Sequence, residues 1–589
     1  MNAHPRPPRH VRRATLALPC LAGVLLSTHA LAYRTELADG TQLISTTNLS
    51  YGAQWRAQDA KRELIGPAYG GTSGSSANDD GNLNYGKGDI VSSVFKVITD
   101  VELKKDNVGA LVRAKGWYDS AWNDGRVQHG STVAGYDQGR LSDRGFASEA
   151  RFSNVVLLDA YAYANLRLAE SDLSVRIGKQ VLNWGESTFF QGLNQTNPLD
   201  VPALRRPGAQ VKEGLIPVET AYFNWSPSSQ PLSVEGFYQW KFRPYAVDGC
   251  GTYFSTADIG IANSCRTSAN LGGALSAPDG SLGYLQRADN TQPGDGGQFG
   301  LALNYTHEPL DLKLGLYAMN LHSGIPIFSA FTADASLAGL DQLRSLKYKF
   351  EYPGNVQRYG ATLATTVAGG WSLGVELSHS PNLPAQINGV DMFYAALGAS
   401  FTPLGDRYAG AAAGTYLQGY RRVAQSQLLV NTMTLLSPMW GATGGVFLAE
   451  IGYQRAGIDD PAQPGVLRYG RSFNYGANIA ALCPSSVAGQ CSSDGYATPN
   501  AYGYRLYGQL NYTTPIGVSV KPGVYFAHDL RGWSVDGQLS QGRRVLGLSL
   551  RMERSAWWAE ASAVGFNRNA TYDDGRDRAF YGVSAGTSF

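Results

Sequence analysis

The sequence predicts an all-β protein: a transmembrane, antiparallel, up-and-down β-barrel of eighteen strands, within a range of sixteen to eighteen. Three observations predict it. The chain ends as an alternating strand, with Tyr581, Val583, Ala585, Thr587 and Phe589 on one face. It begins with the features of an exported protein. Between these ends, short and long connections alternate along a series of period-2 segments.

The N-terminal feature is a secretory signal. Arg6, Arg9, Arg12 and Arg13 precede the apolar run Ala14–Leu26, and Ala30-Leu31-Ala32 is a small-x-small site. Cleavage is expected after Ala32, leaving residues 33–589 as one domain. Cys20 lacks the small preceding residue that lipidation requires. No later window supplies the ~20 consecutive apolar residues of a spanning helix. The chain is nonetheless polar on average, with mean hydropathy -0.21, 70 Gly, 33 Tyr and 11 Trp. A glycine- and aromatic-rich exported chain suits a barrel with aromatic girdles. A secreted glycan-binding protein shares that composition, so composition alone does not decide. The net charge of +2 argues against nucleic acid as a partner.

Period-2 segments place strands at 42–56, 93–103, 109–117, 155–165, 172–181, 219–226, 232–241, 297–306 and 311–321. The second half adds 356–367, 371–379, 425–437, 445–454, 503–513, 518–528, 544–554, 557–566 and 578–589. Links after even-numbered strands are short, such as Ala169–Ser171, Ala368–Gly370 and Ser555-Ala556. Links after odd-numbered strands are longer. Outer-membrane barrels carry this alternation of periplasmic turns and extracellular loops. Within strands, Leu546, Leu548 and Leu550 alternate with Gly547, Ser549 and Arg551, which assigns a lipid face and a lumen face. The last strand is expected to close against 42–56, with Phe589 as the membrane-insertion signal for the barrel-assembly machinery.

Four cysteines remain after cleavage. The close pairs Cys250–Cys265 and Cys483–Cys491 are the expected disulfides of an oxidising compartment. Each closes a short loop, worth ~3 kcal/mol of unfolded-state entropy. Their spacings fit no metal site, and neither a metal nor another cofactor is expected.

Lumen-facing charges balance in sign. They include Arg113, Lys115 and Arg176 against Asp159, and the bland reading is an ion-pair ladder bracing the wall. The richest link is Leu182–Val218, which holds Trp184, Glu186, Asp200, Arg205 and Arg206 and is stiffened by Pro198, Pro202 and Pro207. Such residues are costly to leave in water, and a wide lumen needs filling. The link is expected to fold inward and narrow the pore. Arg205 and Arg206 opposite Glu186 or Asp200 are the candidate eyelet; the alternative is that these charges pin the loop to the wall. A second link, Ser380–Ala424, carries the apolar run Met392–Leu397. That run is expected inside the barrel as a short helix or plug, or lining an apolar pocket.

No enzyme is expected: the histidines and the dispersed carboxylates offer no triad or acid pair. Three readings follow. The first is a channel or transporter for small or amphipathic molecules, with outer-membrane lipid around it. The second is a conduit for lipid-like or apolar cargo. The third is a surface adhesin or structural barrel.

The stretch Arg176–Phe189, with Asn197–Val201 and Arg206–Gly208, resembles a proteobacterial outer-membrane family known as domain of unknown function 1302. Leu49–Gly52 with Trp55-Arg56, Asp79–Tyr85, Gly251–Ser255 and Glu351–Pro353 fit the same family. The resemblance implies an outer-membrane barrel and supplies no substrate. It also implies an association with a periplasmic carrier and an inner-membrane exporter, which bears on the second reading.

Overall fold

A computed structural model describes residues 33–76, 78–128, 139–259, 268–270 and 284–589. Residues 1–32, where the signal segment is expected, and Cys265 lie outside the described residues. Eighteen strands form one closed barrel. They are β1 (Gln42–Arg56), β2 (Ile90–Lys105), β3 (Val108–Asp119), β4 (Ser153–Leu168), β5 (Ser171–Gln180) and β6 (Val218–Pro227). Then come β7 (Leu232–Gln239), β8 (Gln298–His307), β9 (Leu312–Leu321), β10 (Val356–Val367), β11 (Trp371–Gln386) and β12 (Tyr420–Leu436). The last six are β13 (Gly444–Ala456), β14 (Asn500–Thr513), β15 (Ser519–Arg531), β16 (Arg544–Arg554), β17 (Trp557–Phe566) and β18 (Phe580–Ser588).

Each strand pairs antiparallel with its sequence neighbours, and β18 closes on β1 from Asn48↔Ser588 to Arg56↔Phe580. The Phe589 N–H donates to the Thr47 carbonyl at 2.9 Å, so pairing continues to the last residue. Closure leaves no strand edge unpaired, as a membrane span requires.

The alternating pattern sets the two faces. Leu546, Leu548 and Leu550 point outward and are exposed, while Ser549 and Arg551 point inward. Trp225, Trp371, Trp440 and Trp557 ring the exterior at the turn end. Tyr118, Tyr238, Tyr359, Tyr502 and Tyr581 ring it at the loop end. These are the two aromatic girdles of a membrane barrel.

The expected Ser380–Ala424 link is shorter than periodicity placed it, because β11 runs on to Gln386 and β12 starts at Tyr420. Pro381 lacks an N–H and breaks the pattern; a bulge between Ser380 and Leu383 absorbs it. The run Met392–Leu397 lies in and just after a helix, Gly389–Ala396, whose cap Asn388 accepts the N–H groups of Val390 and Asp391. Met392 and Ala395 are fully buried. They pack with Phe328, Tyr348 and Ile387 in a core at the loop end. A five-stranded sheet centred on Ile327–Phe331 and Lys347–Glu351 belongs to this layer. Among the described residues the run is packed into a folded loop layer. In the next long link, Cys483 and Cys491 are joined by a disulfide.

Candidate functional site: the inward loop and the lumen

The link between β5 and β6, residues 181–217, makes its contacts with inward-facing side chains on opposite walls of the barrel. Asn197 ties its two ends: its Oδ1 accepts the Leu182 N–H, and its Nδ2 donates to the carbonyls of Gln180 and Ile216. Two limbs extend from that knot.

The first limb, Trp184–Leu193, is clamped by two wall carboxylates. Glu376 on β11 accepts the N–H groups of Glu186 at 2.9 Å and Leu193 at 2.7 Å. Glu450 on β13 accepts those of Thr188, Phe189 and Phe190 at 3.0, 2.5 and 2.9 Å. Both carboxylates are fully buried. Backbone donors replace the water they lost. The loop must approach closely for this. A Cβ at Gly185 or Gly192 would collide with the Glu376 carboxylate, and Gly185 also has φ +82°. Two wall glycines seat the loop's side chains: Gly360 faces Leu193 and Gly452 faces the Phe190 ring. Trp184 packs between Phe237 and Tyr317 and seals the limb against β7 and β9.

The second limb carries the charges. Asp200 caps the short helix Val201–Arg205 by accepting the Ala203 N–H, and pairs with Lys115 at 3.1 Å. Glu213 pairs with Lys96 at 2.6 Å and lies 3.8 Å from Lys115. Lys212 reaches Asp100 at 3.3 Å; Asp100 also holds Arg113, which holds Asp159 at 2.8 Å. Arg206 is buried, stacks over Trp117 and donates to the carbonyls of Glu149 and Arg151. Arg205 pairs with Asp248.

Arg113, Lys115, Asp159 and Asp200 thus come together on the β2–β4 wall. Arg176 stands apart, 4.4 Å over the Tyr222 ring. The expected opposition of Arg205 and Arg206 to Glu186 or Asp200 does not form. Asp200 is spent on Lys115, Arg206 on backbone carbonyls, and Glu186 sits on the other limb. A buried charge takes the nearest partner that desolvation leaves it, and that partner is the wall.

A second inward element was not legible in the sequence. The link between β15 and β16 lays Leu539 against Phe190, Leu429 and Ala501. Its Gln538 exchanges hydrogen bonds with the backbone of Gln191 at 2.7 and 3.0 Å. Its Asp536 accepts amide N–H groups from Gln425, Gln454 and Gln538. The only sequence signal was the turn pair Asp536-Gly537, which marks a bend and says nothing of direction.

The two elements leave space beside β14–β18. A cavity of about 890 Å³ opens there at the loop end, lined by Arg205, Arg505 and Arg543 together with Val545, Phe566 and Phe580. Burial pushes the carboxyls of Asp573 and Asp574, in the β17–β18 link beside it, above their usual range. Beneath it the inner wall is small, with Ser549 paired to Ser562 and Gly547 to Val564. At the turn end Lys521, Arg551, Glu553 and Glu560 form a half-exposed ion-pair ladder, and Arg551 lies 4.4 Å over Trp558.

Fold and loop define a transmembrane barrel whose lumen the 181–217 loop crosses, with a cavity at the loop end beside β14–β18. The chain belongs to the family described as Protein of unknown function (DUF1302), whose model matches residues 13–589. No curated protein matches the chain. Among solved structures it is similar to OccAB1 of Acinetobacter baumannii at 9% identity, covering 95% of this chain and 99% of that one, with TM-score 0.39. OpdK of Pseudomonas aeruginosa, solved with vanillate, matches at 11% identity, 92% and 98% coverage and TM-score 0.35. The outer-membrane channel DcaP of Acinetobacter baumannii matches at 7% identity, 94% and 99% coverage and TM-score 0.34.

Proposed function

We propose that the protein is a passive outer-membrane channel for small or amphipathic molecules, with its loop end outward and its termini in the periplasm. The observation that carries this is the asymmetric lumen. The 181–217 loop is hydrogen-bonded and ion-paired to β2–β3 and β10–β13. It touches β14–β18 through Phe189 on Tyr525, Phe190 under Arg505 and Gly208 near Trp558 and Ser584. The 890 Å³ cavity opens at the loop end beside β14–β18, and Gly547, Ser549 and Ser562 face the lumen there. A solute enters the cavity, passes the small-residue wall and leaves along the Lys521–Glu560 ladder. Selection rests on the inward loop and on mixed charge, so ion selectivity is weak. Phe589 serves the barrel-assembly machinery, and lipid surrounds the apolar belt.

The test is conductance of the purified barrel in a planar bilayer. Discrete channel openings, cut by Ser549→Trp, are expected; a silent wild-type barrel overturns the reading. A second reading is favoured by the aromatic wall of Phe254, Phe566 and Phe580 in the cavity. It makes the barrel a conduit for lipid-like cargo, fed by an inner-membrane exporter through a periplasmic carrier. Native mass spectrometry of the purified barrel decides between them: bound lipid favours the conduit, an empty conducting barrel the channel.

A further inference from the structure

We propose that the loop-end cavity is a binding subsite for amphipathic organic anions, with a carboxylate head at its arginines and an apolar body on its aromatic wall. The inference rests on the channel reading for the route of entry, but not for the binding itself.

The cavity is two-faced. Phe254, Phe566, Phe580 and Val545 form its apolar side. At about 890 Å³ it has the size of a small-molecule site, and such sites pair an apolar lining with a few polar groups.

The polar side holds a buried guanidinium with unmade hydrogen bonds. Asp529 is shared by Arg505 at 2.6 Å and Arg543 at 2.7 Å. Asp577 is shared by Arg56 at 3.5 Å and Arg578 at 3.7 Å. Each pair of guanidinium groups therefore meets one carboxylate. Arg578 is 3% exposed and lines the cavity, yet its Nε and Nη1 make no hydrogen bond. A buried guanidinium with unmade bonds carries a desolvation cost that an anionic oxygen would relieve.

The lining's aspartates match its arginines in number, but their partners lie away from the Nε and Nη1 of Arg578. Asp248 is held by Arg205, and Asp536 is saturated by three amide N–H groups. Asp574 accepts from Asn474 at 3.0 Å. Asp573 keeps one oxygen, Oδ2, without a partner. Burial raises its pKa above the usual carboxylate range.

The experiment measures equilibrium binding of octanoate, octyltrimethylammonium and octanol to the full-length barrel in nanodiscs, with empty nanodiscs subtracted. Octanoate is expected to bind saturably and roughly tenfold more tightly than either eight-carbon control. Arg543→Gln and Phe566→Ala, each checked for folding by heat-modifiable gel mobility, are expected to weaken octanoate severalfold. Octyltrimethylammonium or octanol binding as tightly as octanoate in the wild-type barrel overturns the inference without any variant. So does octanoate affinity that both folded variants leave unchanged. Open conductance with no octanoate binding sinks this inference alone, and octanoate binding to a non-conducting barrel sinks the channel reading alone.

Discussion

The carboxylate of Glu450, on β13, accepts the backbone N–H of Phe190 at 2.9 Å across 260 residues of sequence, and both side chains are buried. The bond fixes the tip of the inward loop to the wall opposite its origin.

Removing that acceptor loosens the tip. Glu450→Ala leaves the N–H groups of Thr188, Phe189 and Phe190 without their partner, at ~1–3 kcal/mol each where no water replaces it. Single-channel recordings are expected to show a larger, noisier conductance than wild type. Glu450→Gln, which keeps one oxygen acceptor, should fall between the two.

The wall glycines make a steric prediction. Gly452→Leu places a side chain where the Phe190 ring lies, and Gly360→Leu does the same to Leu193. Overpacking of this kind costs ~1–3 kcal/mol, which displacing the loop relieves. Limited proteolysis should then cut within 184–193 in folded barrels of both variants, while wild type resists.

The second limb is held by a buried charge cluster, which makes Lys115 sensitive. Lys115→Met strands Asp200 beside a Glu213 that keeps only Lys96, and breaking a buried pair from one side costs ~3–5 kcal/mol. The temperature at which the barrel loses its heat-modifiable gel mobility should drop. Lys115→Met with Asp200→Asn should recover most of the loss.

Asp573 gives a pH dependence. Burial raises its carboxyl above 3.8, so the folded state binds the proton more tightly than the unfolded chain does. The 567–579 link is therefore less stable at neutral pH. It gains stability as pH falls through the raised value, and the gain is complete below 3.8. Protection factors of that link's amides, which divide out the intrinsic slowing of exchange at lower pH, should rise on mild acidification. Asp573→Asn should raise protection at neutral pH and make the profile shallower, with Asp574 supplying what pH dependence is left.

The strands were legible because a membrane wall repeats one local rule. Gln42–Arg56, Val356–Val367, Arg544–Arg554 and Trp557–Phe566 begin and end where alternation placed them. The rule failed at Pro381, where a bulge carries β11 past the break. Trp184, Arg206 and Asp200 marked the right loop, but their partners were not readable. Asp200 meets Lys115 and Glu186 meets Glu376 through barrel closure, which no local pattern encodes. The 532–543 element was missed for the same reason. Leu539 is one apolar residue in a turn, and only its contact with Phe190 makes it part of the lumen.

In the channel reading, the 181–217 loop narrows the pore and passage follows the cavity beside β14–β18. Single-channel conductance of the barrel lacking Leu193–Arg206, compared with the full chain under the same salt, tests it most directly. A rise of at least about twofold is predicted, since eighteen strands enclose a lumen far wider than the residual passage. A folded deletion variant with unchanged conductance would contradict it.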